Sequence, residues 1–302
     1  MKTHSVSVGY NTSGQEFFDV LLPYRPFINA FFFSCLHTQD FWNKFDTEEY
    51  LKNLYALNTY NIPANILFNY KRDENEQVYF LIDRILQDGK INLKQVTLGT
   101  PQFCEKVKNL FPELETHLSV HYSKNYTLDD LKGICDCVNL SSVFDFNSFD
   151  KIKKLKELGI KVKYILNKGC IPNRELTYKR LSGSKNLSCE ICKKCCLSLL
   201  DKYPWLSLAK VFYYPEMILR YFQDVDIWKL TSREEPTNIV SELLNFYIIQ
   251  RKTKFIENVN IENEDKYNLF LQWIDARVKC ENRCDKCSVC KDFWRRLNES
   301  GN

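Results

Sequence analysis

Eight apolar, strand-like runs, most of them separated by segments of helical periodicity, predict a (β/α)8 TIM-like barrel of the α/β class, followed by a C-terminal Cys-rich helical tail. Three observations carry that prediction. Strand and helix candidates alternate from residue 27 to residue 251, and alternation implies parallel strands joined by crossovers. The strand candidates number eight, and eight such units close into a barrel. The competing open, doubly wound sheet usually carries a Gly-rich turn after its first strand. Here that strand runs into "FFFSCLHTQ", which has no glycine.

The elements follow in order. "FINAFFFSC" (27–35) is a short aromatic run, read as a buried strand. In 47–60, Tyr50, Leu54 and Leu57 share a helical face. Strand candidates follow at 63–70, 95–100, 115–122, 135–142 and 161–167. Between them lie a helix at 75–89 stopped by Gly89, a helix at 101–111 opened by Pro101, and a short Thr-capped helix at 127–134. The helix at 147–159 is amphipathic: Ile152, Leu155 and Leu158 line one side, and Gly159 suits the left-handed C-terminal position. Beyond a cysteine-rich stretch come runs at 208–215 and 225–233, a helix from about 215 to 222, and a helix at 236–251. The expected organisation is a barrel over 1–251 with a Cys-rich insertion at 170–200, then an extension over 252–302.

Composition narrows the class. The 302 residues are 44% hydrophobic and 26% charged, ordinary for a folded chain. There is no apolar run of about 18 residues and no apolar signal core after Lys2, so we expect a cytoplasmic protein without a membrane span. The formal charge of +4 permits RNA or an acidic substrate without arguing for either.

Cysteine is the outlier, with thirteen residues. In a reducing compartment, clustered thiols point to metal rather than disulfides. One group is Cys170, Cys189, Cys192, Cys195 and Cys196; another is Cys280, Cys284, Cys287 and Cys290. In the first group, "CEICKKCC" offers several thiols from a short loop, and Cys170 supplies a remote partner. Four thiolates suit Zn2+ or an iron–sulfur cluster, and Cys35 joins them if it faces the same rim. The second group, "CENRCDKCSVC", is a C-x3-C-x2-C-x2-C run that reads as a zinc knuckle or a second cluster. Its first three members imitate the loop of radical S-adenosylmethionine enzymes. That loop follows an early barrel strand, whereas twelve residues follow Cys290 here.

Barrel chemistry gathers at the C-terminal ends of the strands. Cys170 falls three residues past the sixth expected strand, and Cys35 ends the first. Asn69, Asn139, Asn167 and Arg233 hold equivalent places, and His121 ends the fourth. Each Asn or His alone also suits a loop-satisfying role.

Several ordered phrases resemble the collagenase-like peptidase family, unassigned peptidase family thirty-two. "DIWKLTSREEPTNIVSELLNFY" is similar to its last strand and helix, with Lys229, Arg233 and Tyr247 matching and Ser232 standing at a glycine position. "KKLKELGIKVKYILNKGCIPNR", "FYYPEMILRYFQDVDIWKL" and "FPELETHLSV" resemble further segments, so the likeness spans roughly residues 90 to 250. The resemblance implies a (β/α)8 barrel with one [4Fe–4S] cluster held by four cysteines, and oxygen-independent hydroxylation of RNA or a ubiquinone precursor, with prephenate as oxygen donor in some members. One layout in the family takes ligands from strand ends and a C-x3-C pair, which Cys35, Cys170, Cys192 and Cys196 match. Relatives with a "GCIPNC" turn have a cysteine where this chain has Arg174.

The expected function is thus an iron–sulfur hydroxylase, or one subunit of a hetero-oligomeric one, with one cluster or two. It would act on an RNA base or small aromatic substrate. Lys229, Arg233, Asn167 and Asn69 would hold a carboxylated donor, since a guanidinium grips a carboxylate bidentately. The alternatives are a non-catalytic zinc or cluster protein serving as scaffold or electron-transfer partner, and a peptidase. Against the last, the chain has no His-Glu-x-x-His helix, no Gly-x-Ser-x-Gly elbow, and four histidines.

Overall fold

The computed structural model describes residues 5–9, 14–34, 55, 59–69, 74–120, 126–140, 145, 148–167, 200, 203–209, 212–231, 235–256, 259–280 and 287–299. The chain divides into two compact units. Met1–Ser141, Phe149–Ile165 and Asp224–Ile248 form the first; Ser142–Ser148, Leu166–Gln223 and Ile249–Asn302 form the second.

The first unit is a closed barrel of parallel strands. They are β1 (Ser5–Gly9), β2 (Ile28–Ser34), β3 (Ala64–Phe68), β4 (Leu93–Leu98), β5 (Glu115–Leu118), β6 (Cys137–Leu140), β7 (Lys161–Ile165) and β8 (Ile227–Leu230). Neighbours pair in chain order, and β8 returns to β1 with Ser7 opposite Lys229. The helices are α1 (Gly14–Leu21), α2 (Glu76–Asp88), α3 (Pro101–Leu110), α4 (Phe149–Glu157) and, beyond β8, a helix described below. The predicted (β/α)8 architecture is therefore the observed one.

One expected strand is corrected. Residues 208, 209 and 212–214 belong to no strand; Pro204–Ser207 is a 3-10 turn, and Pro215 opens the helix α5 (Pro215–Tyr221). The remaining strand is β1, "SVSVG", whose short Ser/Val alternation sits in what reads as a polar N-terminus. Residue 170 therefore follows the seventh strand, not the sixth. The expected helix at 127–134 is a 3-10 turn, Asp129–Leu131. The expected helix at 236–251 is α6 (Thr237–Leu244), continuing as a π-helix over Asn245–Gln250. The expected helix at 47–60 lies largely outside the described residues.

Local chemistry explains the element ends. Asn75 caps α2 by accepting from the Val78 amide at 3.2 Å, and Thr100 caps α3 by accepting from the Phe103 amide at 3.1 Å. Gly89, at φ 63°, ends α2 in the left-handed conformation. Two aspartates seal the N-terminal rim in the same way. Asp136, just before β6, accepts from the Thr116 amide at 2.9 Å and from Lys108 at 2.6 Å. Asp226, just before β8, accepts from the Val162 amide at 2.8 Å and from Lys156 at 2.6 Å. Each uses its carboxylate to bind a neighbouring strand to a helical lysine.

The strands present two faces, and a register shift between β1 and β2 opposite Val6 and Ser7 accompanies the lumen placement of Asn29. Phe31 packs outward against Phe17 and Phe18 of α1, and Phe68 against Phe103 of α3, with ring centroids 5.7 to 6.4 Å apart. Each such buried ring contributes roughly 2–3 kcal/mol. The alternate positions face the lumen.

In the second unit, β9 (Phe255–Ile256) and β10 (Val259–Asn260) form a small hairpin, followed by α7 (Glu264–Arg277) and α8 (Val289–Glu299). Glu216 of α5, 5% exposed, accepts from Thr253 N and Thr253 Oγ1, each at 2.7 Å, and from Tyr267 Oη at 3.1 Å. Trp273 of α7 stacks on Phe293 of α8 at 5.0 Å. Among the described residues, no helix is long and apolar enough to cross a membrane.

Candidate functional site in the barrel lumen

Barrels of this type usually fill their interior with Val, Ile and Leu. This lumen is polar instead. Ser7, Asn65, Gln95, Thr97, His117, Asn139, Lys163 and Lys229 are all buried. Contacts between strands that are not sheet neighbours show that these side chains meet inside. Lys163 of β7 donates to Gln95 Oε1 of β4 at 3.3 Å. Gln95 Nε2 donates to Asn29 Oδ1 of β2 at 3.0 Å. The Lys229 ammonium of β8 sits 4.2 Å from the Phe32 ring centroid of β2, a cation–π contact.

Around this crossing the network extends. Asn65 Nδ2 donates to Gln95 Oε1 at 3.1 Å, Thr97 Oγ1 to Asn65 Oδ1 at 2.9 Å, and Ser7 Oγ to Asn29 Oδ1 at 3.3 Å. One hydrogen-bonded set thus joins β1, β2, β3, β4 and β7. Burial pushes the Lys163 ammonium down, to about 8, so it stays largely charged at neutral pH.

Toward the strand N-termini, Glu115 and His117 of β5 meet Cys137 of β6. Their ligand-type atoms all lie within 4.8 Å of one another. His117 Nε2 lies 2.9 Å from Glu115 Oε1, and Lys161 Nζ lies 3.2 Å from Glu115 Oε2. Burial of His117, reinforced by the Lys163 charge, holds its imidazole down at about 4 despite Glu115. Burial raises the Glu115 carboxyl, but His117 and Lys161 more than offset this and hold it at about 2. At pH 7 the pair is therefore a carboxylate and a neutral imidazole whose Nε2–H donates. Among the described residues, His117 Nδ1 is then a buried acceptor with no hydrogen-bond partner, as is Asn139 Oδ1.

The donor types could hold a divalent ion. The charges around them work against it. Glu115 is already engaged by Lys161, Lys163 stands close enough to depress His117, and burial holds the Cys137 thiol well above its ordinary value. An ion here would have to displace a proton from Cys137 beside two ammonium groups. With one thiol, the group also does not fit an iron–sulfur cluster, which needs several thiolates.

Of the residues expected from sequence, Lys229 is inside the lumen, and Asn69 accepts from Ser119 Oγ at 3.2 Å. Asn139 donates from Nδ2 to the Leu118 carbonyl at 2.9 Å, a loop- and strand-satisfying role. Asn167 is half-buried, two residues past β7, and belongs to the second unit. Cys35, His121, Cys170, Cys189, Cys192, Cys195, Cys196, Arg233 and Cys284 lie outside the described residues. Cys280, Cys287 and Cys290 are described: Cys287 is exposed and the other two are half-buried.

Sequence reading missed Glu115, His117, Cys137, Gln95 and Lys163. The available signal was "ETHL", where Glu115 and His117 alternate with residues of the helix-facing side, and "KVKYI", where Lys163 falls on the same phase as Lys161.

Fold and lumen together define a (β/α)8 barrel with a polar interior. No family model matches the chain. It is 24% identical over 160 residues to "Uncharacterized protease MJ1657" of Methanocaldococcus jannaschii, a match covering 48% of each protein. The chain therefore spans about half the length of that curated relative. A solved structure described as "putative mandelate racemase from Mesorhizobium loti" aligns with 76% of this chain and 50% of its own, at a TM-score of 0.41 and 12% identity.

Proposed function

We propose that the chain is an iron–sulfur barrel protein of the collagenase-like peptidase family, acting as an oxygen-independent hydroxylase, or as one subunit of one, on an RNA base or small aromatic substrate. The observation that carries this reading is the pair of buried lysines, Lys163 and Lys229, in a hydrogen-bonding lumen. A lumen that carries two ammonium groups alongside neutral hydrogen-bonding side chains suits a carboxylated donor electrostatically. The likeness to the archaeal relative supports the family. Cys170, with partners among Cys35, Cys189, Cys192, Cys195 and Cys196, would hold the cluster, which when bound supplies one-electron chemistry. Lys229 and Arg233, with Asn69 and Asn167, would bind and orient the donor.

Anaerobic purification tests the reading. The expected result is a brown protein with iron and acid-labile sulfide, bleached by Cys170→Ala. A colourless wild type, or colour and iron unchanged in that variant, overturns it.

A peptidase is the reading suggested by the relative's printed name. His117 and Cys137 do stand together as a Cys–His pair. Both are fully buried, and the thiol is held far from its nucleophilic thiolate form. The pair does not support peptide hydrolysis.

A further inference from the structure

We propose that Cys280, Cys287 and Cys290 are ligands of a structural zinc ion that ties the end of α7 to the start of α8. This site lies within the second unit and does not depend on the proposed function of the barrel.

Three observations lead to it. The first is placement. After α7 the chain turns tightly: Val278 N donates to Ile274 O at 2.9 Å, Lys279 N to Ala276 O at 3.2 Å and Cys280 N to Arg277 O at 3.0 Å. That turn puts Cys280 at the helix end. Cys290 is the second residue of α8, and Cys287 precedes that helix by two positions. The Trp273–Phe293 stack fixes α8 against α7. Cys280 lies two helical turns past Trp273 and Cys290 one turn before Phe293, so both fall on the faces that this stack brings together. Three thiols from two helix ends share one locality.

The second observation concerns what else could order this connection. Residues 279–288 read "KCENRCDKCS", in which no side chain other than cysteine is apolar. A stretch of that composition offers little apolar area whose burial would offset its ordering entropy. Metal–thiolate bonds are the usual substitute in short Cys-rich segments.

The third is the shortness of α8. It has eleven residues, of which Phe293 and Leu297 are buried. Helices shorter than about 12–15 residues are marginal alone. An ion held jointly by Cys280 and by Cys287 and Cys290 would anchor its first turn to α7.

Zinc fits better than a cluster because Cys287 is exposed and the other two thiols are half-buried. Zinc has no redox chemistry for solvent to attack and takes thiolates in closed structural sites. The three sulfurs do not all lie within 4.8 Å of one another, since among the described residues only the lumen group does. Ligand closure on the ion is the local adjustment required. Zinc takes four ligands; Cys284, the remaining thiol of the run, lies outside the described residues, and the site is argued from the other three.

The test uses the full chain, with zinc, iron and sulfide measured per chain in the wild type, Cys287→Ser and Cys290→Ser. Cys135→Ser, at a buried barrel thiol, serves as control. The expected result is about one zinc per chain in the wild type and control, lost in both tail variants, with iron unchanged. Zinc unchanged in the tail variants overturns the site, and loss of iron and sulfide in its place overturns the assignment to zinc. Should the variants fail to fold, the wild type suffices. After chelator treatment, Co2+ should give thiolate-to-cobalt charge-transfer bands, and zinc should raise amide protection in α8. Absence of either result overturns the proposal. Iron loss in Cys170→Ala reports on the proposed cluster alone, so the two readings fail separately.

Discussion

His117 Nε2 lies 2.9 Å from Glu115 Oε1 inside the barrel, with the imidazole fully buried and held neutral. The pairing has a pH signature. The folded-state value of His117 is near 4, below its ordinary value of 6.5, so the unfolded chain binds more protons between those values. Stability should rise with pH across that window and be lost as pH falls through it, by up to about 3 kcal/mol at ~1.4 kcal/mol per pH unit. Glu115, held near 2 against 4.5, extends the loss to lower pH. Urea titrations from pH 4 to 7 should show the slope in the wild type and a flatter profile in His117→Gln. An identical slope in that variant would refute the assignment.

The crossing at Gln95 should be costly to break. Gln95→Leu removes partners from Lys163, Asn65 and Asn29 together. Losing the hydrogen-bond partner of a buried charge typically costs about 1.5–3 kcal/mol. Lys163→Met, which removes the charge itself, should be neutral or stabilising, as replacing a buried charge by an apolar side chain often is. Chemical denaturation of both variants checks the ordering, and equal losses would argue that Lys163 is not compensated by Gln95.

In the second unit, Glu216 holds Thr253 and Tyr267 through three hydrogen bonds. Glu216→Leu leaves the buried Thr253 amide and hydroxyl unsatisfied, at about 1–3 kcal/mol for each stranded group. Hydrogen exchange should report faster opening of the β9–β10 hairpin and α7, with β1–β8 unaffected.

The caps give a smaller, local prediction. Thr100→Ala removes the acceptor for the Phe103 amide and should cost about 1 kcal/mol. Gly89→Ala should cost about the same because φ is 63° there, although nothing crowds an added Cβ. A thermal midpoint unchanged in both would contradict the geometry of α2 and α3.

What could be read from the chain alone is what is local. Helices announced themselves by capping residues, by Gly89 and Gly159, and by apolar spacing as in α4, because those signals act within one or two turns. Alternation was enough for the eight-stranded class, even though one strand was misassigned. "SVSVG" is too short and too polar in composition to stand out, whereas the aromatic run at 208–215 imitates a strand. The lumen was not legible in the same way. Glu115 and Cys137 lie on different strands, and Gln95 and Lys163 on strands that are not neighbours. Their meeting depends on strand register and on closure of β8 against β1, which are set by contacts far apart in sequence. Periodicity says which face a side chain takes; only barrel closure decides what it faces.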